Sequence, residues 1–101
     1  MEATLRALLG PRRRQILELV RFRELSSGAI AAHFDISHAA VSQHLAVLRE
    51  AGLVQERRDG TRRLYRARAE GMAPLRTFVE GFWTDHLARL KEAVEQDKEQ
   101  P

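Results

Sequence analysis

Two short helical patterns in close succession constrain the fold of this chain more than any other feature of its sequence. The first, residues 27–33, follows Ser26, and the second, residues 38–51, follows Ser37. Both serines are favourable N-caps, because a serine hydroxyl can accept a hydrogen bond from the first turn of a helix. Gly52 is placed to end the second helix. The sequence therefore predicts a pair of helices joined by a tight turn.

A hairpin signal follows this pair of helices. Residues 53–57 and 62–66 have the pattern of two strands, and the Asp59-Gly60 dipeptide between them favours a tight turn. Two short helices followed by a β-hairpin form a winged helix-turn-helix, in which the hairpin is the wing.

The rest of the chain has helical patterns. An N-terminal segment, residues 3–9, ends at Gly10-Pro11, a second helix runs over about 11–22, and a long helix covers about 72–97. The predicted fold is mainly α with a small β-hairpin, in the order α-α-α-α-β-β-α. A chain of 101 residues has room for one domain. We expect that domain over residues 1–97 and a disordered tail at 98–101.

The long C-terminal helix carries more apolar surface than one small domain can cover. About 24 helical residues at 1.5 Å per residue extend over roughly 36 Å, with apolar residues at helical spacing along them. We therefore expect a homodimer held by the N- and C-terminal helices. The expected interface residues are the large apolar ones of both helices: Leu5, Leu8, Leu9, Leu75, Phe78, Phe82, Trp83, Leu87 and Leu90.

Small, uncharged side chains form the outward face of the second helix of the pair. We take Val41, Leu45 and Leu48 to face the core. A step of about 100° per residue then turns Ala39, Gln43 and Ala46 outward. Small side chains allow a helix to approach the major groove of DNA, where amides and hydroxyls can bond base edges. The alternatives are an ordinary alanine-rich surface or a protein contact. The candidate DNA-binding residues here are Ser37, His38, Ala39, Ser42, Gln43, His44 and Arg49.

Positive charge is concentrated in two segments. Residues 1–23 and residues 51–68 each carry a net charge of +4, while 24–50 and 69–101 are acidic. Four arginines surround the predicted hairpin turn and would repel one another unless an anion met them, which makes a phosphate backbone the expected partner. The alternative is a solvated edge that charge protects from aggregation. The candidate wing residues are Arg57, Arg58, Arg62 and Arg63, which gives a DNA-reading part at about 26–66.

Three stretches resemble the ArsR/SmtB family of bacterial repressors. They are the segments GPRRRQIL at 10–17, ISHAAVSQHL at 36–45 and LREAGLV at 48–54. The resemblance covers about residues 3–94. It implies a winged-helix homodimer that represses transcription by binding a palindromic operator. Gly10 stands where the family usually has an acidic or small polar residue before the proline.

The metal ligands of that family are missing at the corresponding positions. The family's metal box, Glu-Leu-Cys-Val-Cys-Asp-Leu, falls on residues 24–30, where Ser26 and Gly28 replace both cysteines and Ala29 replaces the carboxylate. The C-terminal helix offers His86 alone as a histidine, with Asp85 on a different face. The C-terminal pattern Phe82-Trp83-x-x-x-Leu87-x-x-Leu90-Lys91 resembles the metal-independent branch of the family, so we expect no metal and no cofactor. A small-molecule pocket beside Trp83 at the dimer interface is the alternative.

Other classes of function find little support. The chain has no cysteine, so thiol chemistry is excluded. Ser42 and His44 are two residues apart on a helix and cannot face each other, and no phosphate-binding glycine loop occurs, so we expect no enzyme. No apolar run approaches the roughly 18 residues of a membrane span, and a cytoplasmic location is expected. A winged helix that contacts protein or RNA is a further alternative. The partners we expect are duplex DNA and a second copy of the chain, and the sequence does not identify an effector.

Overall fold

The computed structural model describes residues 1–99. It is mainly helical, with one three-stranded antiparallel sheet in the order β1-β3-β2. The winged helix-turn-helix architecture is confirmed. The elements are α1 (Glu2–Leu9), α2 (Pro11–Leu19), β1 (Leu25–Ser26), α3 (Ser27–Ala31), α4 (His38–Glu50), β2 (Val54–Asp59), β3 (Arg62–Ala67), a 3₁₀ turn (Ala69–Met72) and α5 (Ala73–Glu99).

The sheet has one strand more than the two expected. The additional strand, β1, is only two residues long and pairs Leu25 with Tyr65 and Ser26 with Leu64 of β3. A segment this short carries no detectable alternation of polar and apolar residues. The pairing of β1 with β3 is a tertiary contact, which the local sequence does not predict.

Three helix ends differ from their expected positions. Helix α2 ends at Leu19 rather than near residue 22, because the carbonyl of Val20 accepts a hydrogen bond from the backbone N–H of Ala67 in the sheet. Helix α3 ends at Ala31 and is followed by two tighter backbone bonds. Helix α5 continues through Glu99, two residues beyond its expected end. The rest of the expected disordered tail, residues 100 and 101, lies outside the described residues.

The core forms between the helices and the sheet. Val41, Leu45 and Leu48 of α4 are buried as expected, and α2 contributes Ile16. Helix α1 contributes Thr4 and Ala7. Leu8 is partly buried against the same core. The largest fully buried side chains are Ile16, Val20, Ile30, Val41, Leu45, Leu48 and Leu53.

Both expected serine caps are present. The Oγ of Ser26 accepts from the N–H of Ala29, and the Oγ of Ser37 accepts from the N–H of Ala40, each at 3.1 Å. These bonds satisfy N–H groups that have no partner inside the helix. The caps therefore fix where α3 and α4 begin.

The C-terminal end of α4 closes as a Schellman motif. Gly52 adopts a φ of 74°, the left-handed conformation that glycine takes without strain. The N–H of Leu53 bonds the carbonyl of Leu48, and the N–H of Gly52 bonds that of Arg49. A Cβ on Gly71 of the 3₁₀ turn would overlap the carbonyl oxygen of Gly52. The 3₁₀ turn that precedes α5 is therefore packed backbone to backbone against the residue that follows the C-cap of α4.

The wing turns one residue later than expected. Asp59 pairs with Arg62, so the two turn residues are Gly60 and Thr61 rather than Asp59-Gly60. Gly60 has a φ of 66°, whereas no other residue of the hairpin has a positive φ. Glycine with positive φ at the first turn position is the pattern of a type II′ turn, whose twist suits a hairpin.

Helix α5 projects away from the rest of the domain. The molecule is 73 Å long and about 25 Å across, and every side chain from Arg76 to Lys98 is exposed. No helix among the described residues combines the length and apolar character needed to cross a membrane.

Candidate nucleic-acid interface

Helix α4 presents the expected face of small and polar side chains. His38, Ala39, Ser42 and Gln43 are exposed, while the apolar residues of the opposite face are buried. Ser37 is exposed at the start of the helix with its hydroxyl engaged in the N-cap. The structure therefore leaves the amide of Gln43 and the hydroxyl of Ser42 free to approach a ligand along one face.

His44 lies on a different side of α4 from Gln43. It is half-buried, and its Nδ1 is 3.5 Å from Nη1 of Arg13 on α2. Burial lowers the pKa of His44 below its ordinary value, and the positive charges of Arg13 and Arg12 lower it further. Both effects favour the neutral form of the ring.

The register of the hairpin divides the four wing arginines between its two faces. Residues that pair across an antiparallel ladder share a face. Arg58 pairs with Arg63, and both lie on the face that carries Tyr65, whereas Arg57 and Arg62 lie on the opposite face. The arginines therefore cannot all meet one surface.

Acidic side chains of the chain itself meet three of these arginines. Arg57 donates two hydrogen bonds to Glu24, at 2.9 and 3.0 Å. Arg62 lies 3.2 Å from Asp59, and Arg63 lies 3.5 Å from a carboxylate oxygen on β2. The expectation that the arginines repel one another without an external anion is wrong for these three. Among residues 1–98, no carboxylate lies within ion-pair distance of Arg58.

The Arg57–Glu24 pair fastens the wing to the segment before β1. Hydrogen bonds from Arg57 lower the pKa of the Glu24 carboxyl, and the carboxylate raises the pKa of Arg57. The bidentate geometry suits a guanidinium. The sequence does not indicate this role for Glu24, because its partner Arg57 is 33 positions away.

Glu56 joins the end of α4 to the wing. Its carboxylate accepts a hydrogen bond from Nη1 of Arg49 at 2.6 Å and from the hydroxyl of Tyr65 at 3.4 Å, and Nε of Arg63 lies 3.5 Å away. The Glu56 side chain is only 19% exposed. Burial raises the pKa of Tyr65, and the charge of Glu56 raises it further. Alternation along β2 places Glu56 on the same face as buried Val54, which is the signal that could have identified it.

The positions that correspond to the metal box have structural roles or face solvent. Ser26 caps α3, and Gly28 is exposed with no atom near the position of a Cβ. No group of three or more His, Cys, Asp or Glu residues suited to a metal ion occurs in the described part of the chain. On α5, His86 packs edge-on against Trp83, with ring centres 5.9 Å apart.

The expected dimer residues fall into two groups. Leu8 and Leu75 are half-buried within the protomer. A shallow concavity of about 260 Å³ on α5 is lined by Phe82, Asp85, His86 and Arg89, and Trp83, where the alternative pocket was expected, does not line it. The expected interface residues that are exposed are Leu5, Leu9, Phe78, Phe82, Trp83, Leu87 and Leu90.

A capped helix with an exposed face of small and polar side chains, fastened at its end to an arginine-rich wing, defines a winged helix-turn-helix DNA-binding protein. The sequence model of the family described as "Bacterial regulatory protein, arsR family" matches residues 10–56. The chain is 40% identical to the HTH-type transcriptional regulator Rv2034 of Mycobacterium tuberculosis over 91 residues, which are 90% of this chain and 85% of that protein. The chain belongs to the ArsR family of bacterial transcriptional regulators.

Two solved structures have the same fold. A crystal structure described as "Possible transcriptional regulator for arsenical resistance" is 44% identical, with a TM-score of 0.71 over 88% of this chain and 93% of that one. The solution structure of the homodimeric winged helix-turn-helix domain of Mb0332 from Mycobacterium bovis is 36% identical, with a TM-score of 0.66 over 85% and 80%. The relatives are regulators of transcription, not enzymes.

Proposed function

We propose that this chain is a homodimeric repressor that binds an inverted-repeat operator in duplex DNA, and that it does so without a metal signal. The observation that carries the proposal is the exposed face of α4, where Ala39, Ser42 and Gln43 leave a narrow, uncharged surface. Such a surface fits the floor of a major groove, where charged side chains would need a specific partner.

In this proposal α4 reads bases and the wing meets phosphates. Gln43 is the best candidate for base readout, because its amide can bond an adenine edge at two points. Arg58 is the wing arginine best placed to bind phosphate, since no carboxylate of the described residues pairs with it. The remaining proposed DNA contacts are Arg63, which shares the hairpin face of Arg58, and the residues at the start and along the exposed side of α4: Ser37, His38, Ala39, Ser42 and Arg49. Arg57 and Arg62 lie on the opposite hairpin face and His44 faces α2, so these three expected contacts are not part of the proposal.

The proposed homodimer follows from the exposed apolar residues of α1 and α5. Leu9 is 75% exposed and Trp83 is 57% exposed, which is unusual for large apolar side chains grouped on two helices. The relative Mb0332 has a homodimeric winged helix-turn-helix domain. A dimer would place two copies of α4 in successive major grooves, about 34 Å apart.

The proposed independence from metal rests on the chemistry of the positions where the family binds metal. Gly28 has no ligand atom, and the hydroxyl of Ser26 already accepts a backbone hydrogen bond. Zinc, cadmium or arsenite titrated into the complex of protein and operator should leave the affinity unchanged. Release of the DNA by a stoichiometric amount of one of these ions would contradict this part of the proposal.

Selection of bound genomic fragments tests the proposal as a whole. Fragments retained by the purified protein should share an inverted repeat, and the affinity should fall steeply as salt rises, because the wing contacts phosphate. A reporter gene behind such a fragment should be transcribed less when the protein is present. Fragments without a shared repeat, or a reporter that is activated, would refute the assignment.

A further inference from the structure

The C-terminal end of α1 is held by arginine side chains rather than by a helix cap. The last four carbonyls of an α-helix have no partner within the helix. Arg13 of α2 donates from Nε to the carbonyl of Ala7 at 2.8 Å and from Nη2 to the carbonyl of Arg6 at 3.0 Å, and Arg14 bonds the carbonyl of Leu8. A guanidinium at this end also complements the negative end of the helix dipole.

The third nitrogen of the Arg13 guanidinium reaches α4, the recognition helix that reads bases in the proposed function. Nη1 lies 3.5 Å from Nδ1 of His44, in the middle of α4. Arginine can only donate, so Nδ1 must accept and the ring proton must reside on Nε2. Arg13 thus contacts the end of α1 and the side of α4 at the same time.

The absence of a side chain at Gly10 leaves space for the Arg13 guanidinium. A Cβ at Gly10 would lie 2.5 Å from Cζ of Arg13. Arg12, the neighbouring cation, is engaged elsewhere, because it bonds Gln15 at 3.1 Å and lies over the ring of Phe34. Helices α1 and α4 also pack directly against each other, but the hydrogen-bonded link between them belongs to Arg13 and not to Arg12.

We infer that Arg13 is a positioning residue of the DNA-reading site, which couples the dimerisation helix α1 to the recognition helix α4 and so fixes the spacing of the two recognition helices in the dimer. The inference rests on the proposed function, in which α1 is part of the dimer interface. If α4 moves with α1, the protein should tolerate one operator spacing and reject its neighbours. One inserted base pair rotates a half-site by about 34–36° around the DNA axis, so a rigid dimer cannot follow it.

The test measures affinity for a set of operators whose two half-sites are separated by the natural spacing, or by one base pair more or fewer. The readout is the ratio of affinities for natural and altered spacing. Arg13→Ala should lower this ratio by roughly tenfold, because it breaks the Arg13–His44 hydrogen bond that joins α1 to α4, and one hydrogen bond to a charged group accounts for about that factor. Arg13→Lys keeps the charge but loses the fork of donors, and it should lower the ratio as well.

Two further variants separate the link from charge and from folding. Arg12→Ala removes the same charge from the same helix and should leave the ratio unchanged. His44→Ala removes only the α4 end of the link; it should lower the ratio alone and add nothing in the Arg13→Ala background. If Arg13→Ala does not fold, as judged by circular dichroism, Arg13→Lys and His44→Ala decide by the same ratio.

The outcomes distinguish this inference from the proposed function. Wild-type protein that binds no inverted repeat would contradict the proposed function itself. Wild-type protein that prefers one spacing, together with Arg13 and His44 variants that keep the full preference, would overturn the role of Arg13 and leave the proposed function standing.

Discussion

Replacement of Trp83 by alanine should dissociate the proposed dimer, and the size of the effect follows from the exposure of the ring. Trp83 is 57% exposed in the protomer. An aromatic side chain can bury roughly 150–250 Å², so a partner that covers Trp83 removes about 110 Å² from water. At about 25 cal/mol per Å², this burial stabilises the dimer by about 3 kcal/mol for each ring.

A twofold dimer contains two such rings, so Trp83→Ala should cost the dimer about 6 kcal/mol. At about 1.4 kcal/mol per tenfold change, the dissociation constant should rise by a factor of about 10⁴. Sedimentation velocity over a range of protein concentrations measures this constant directly. At micromolar concentration, wild-type protein should sediment as a dimer and Trp83→Ala as a folded monomer.

Phe22 provides a matched control for this experiment. It is 78% exposed, more than Trp83, but it follows the end of α2 and lies on neither α1 nor α5. Phe22→Ala should leave the dissociation constant unchanged. A wild-type monomer at micromolar concentration would refute the reasoning, as would a dimer that Phe22→Ala weakens and Trp83→Ala does not.

Two further predictions concern stability. Gly71→Ala should lower the free energy of unfolding by about 1–3 kcal/mol in chemical denaturation, because the added Cβ would overlap the backbone of Gly52. Gly81 on α5 has open space around the position of a Cβ, so Gly81→Ala is the control and should not lower this free energy. Because the pKa of His44 is lowered in the folded protein, the unfolded chain takes up this proton first as pH falls. The free energy of unfolding should therefore decrease as pH falls below about 6.5. The decrease should be smaller in His44→Gln. If the free energy of unfolding depended on pH equally in the two proteins, the burial of this ring would be contradicted.

The helix-turn-helix and the wing could be predicted because their signals are local. Ser37 and Gly52 mark the two ends of α4, and each acts through bonds to residues within a few positions of itself. The alternation of residues around Gly60 marks the hairpin, although the turn lies one residue later than the dipeptide Asp59-Gly60 indicated. Local chemistry therefore fixes the identity of these elements more firmly than their boundaries.

The contacts that position the site could not be predicted because their partners are distant in the sequence. Arg57 binds Glu24 across 33 positions, and Arg13 approaches His44 across 31. A count of charges treats these arginines as a free basic surface. The structure instead uses several of them to hold helices and strands together. Of the four candidate wing arginines, this leaves Arg58 without an ion-pair partner in the described part of the chain.

The division of roles between α4 and the wing is the central claim, and one measurement tests it most directly. Gln43→Ala and Arg58→Ala should each be measured against a set of operators that differ at single base pairs, over a range of salt. We predict that Gln43→Ala costs about 1–3 kcal/mol on the preferred operator and loses preference at one position of each half-site. Arg58→Ala should weaken binding to every operator alike and reduce the salt dependence by about one phosphate contact. If Gln43→Ala kept the full sequence preference and Arg58→Ala changed it, the wing would read the bases and the account would be wrong.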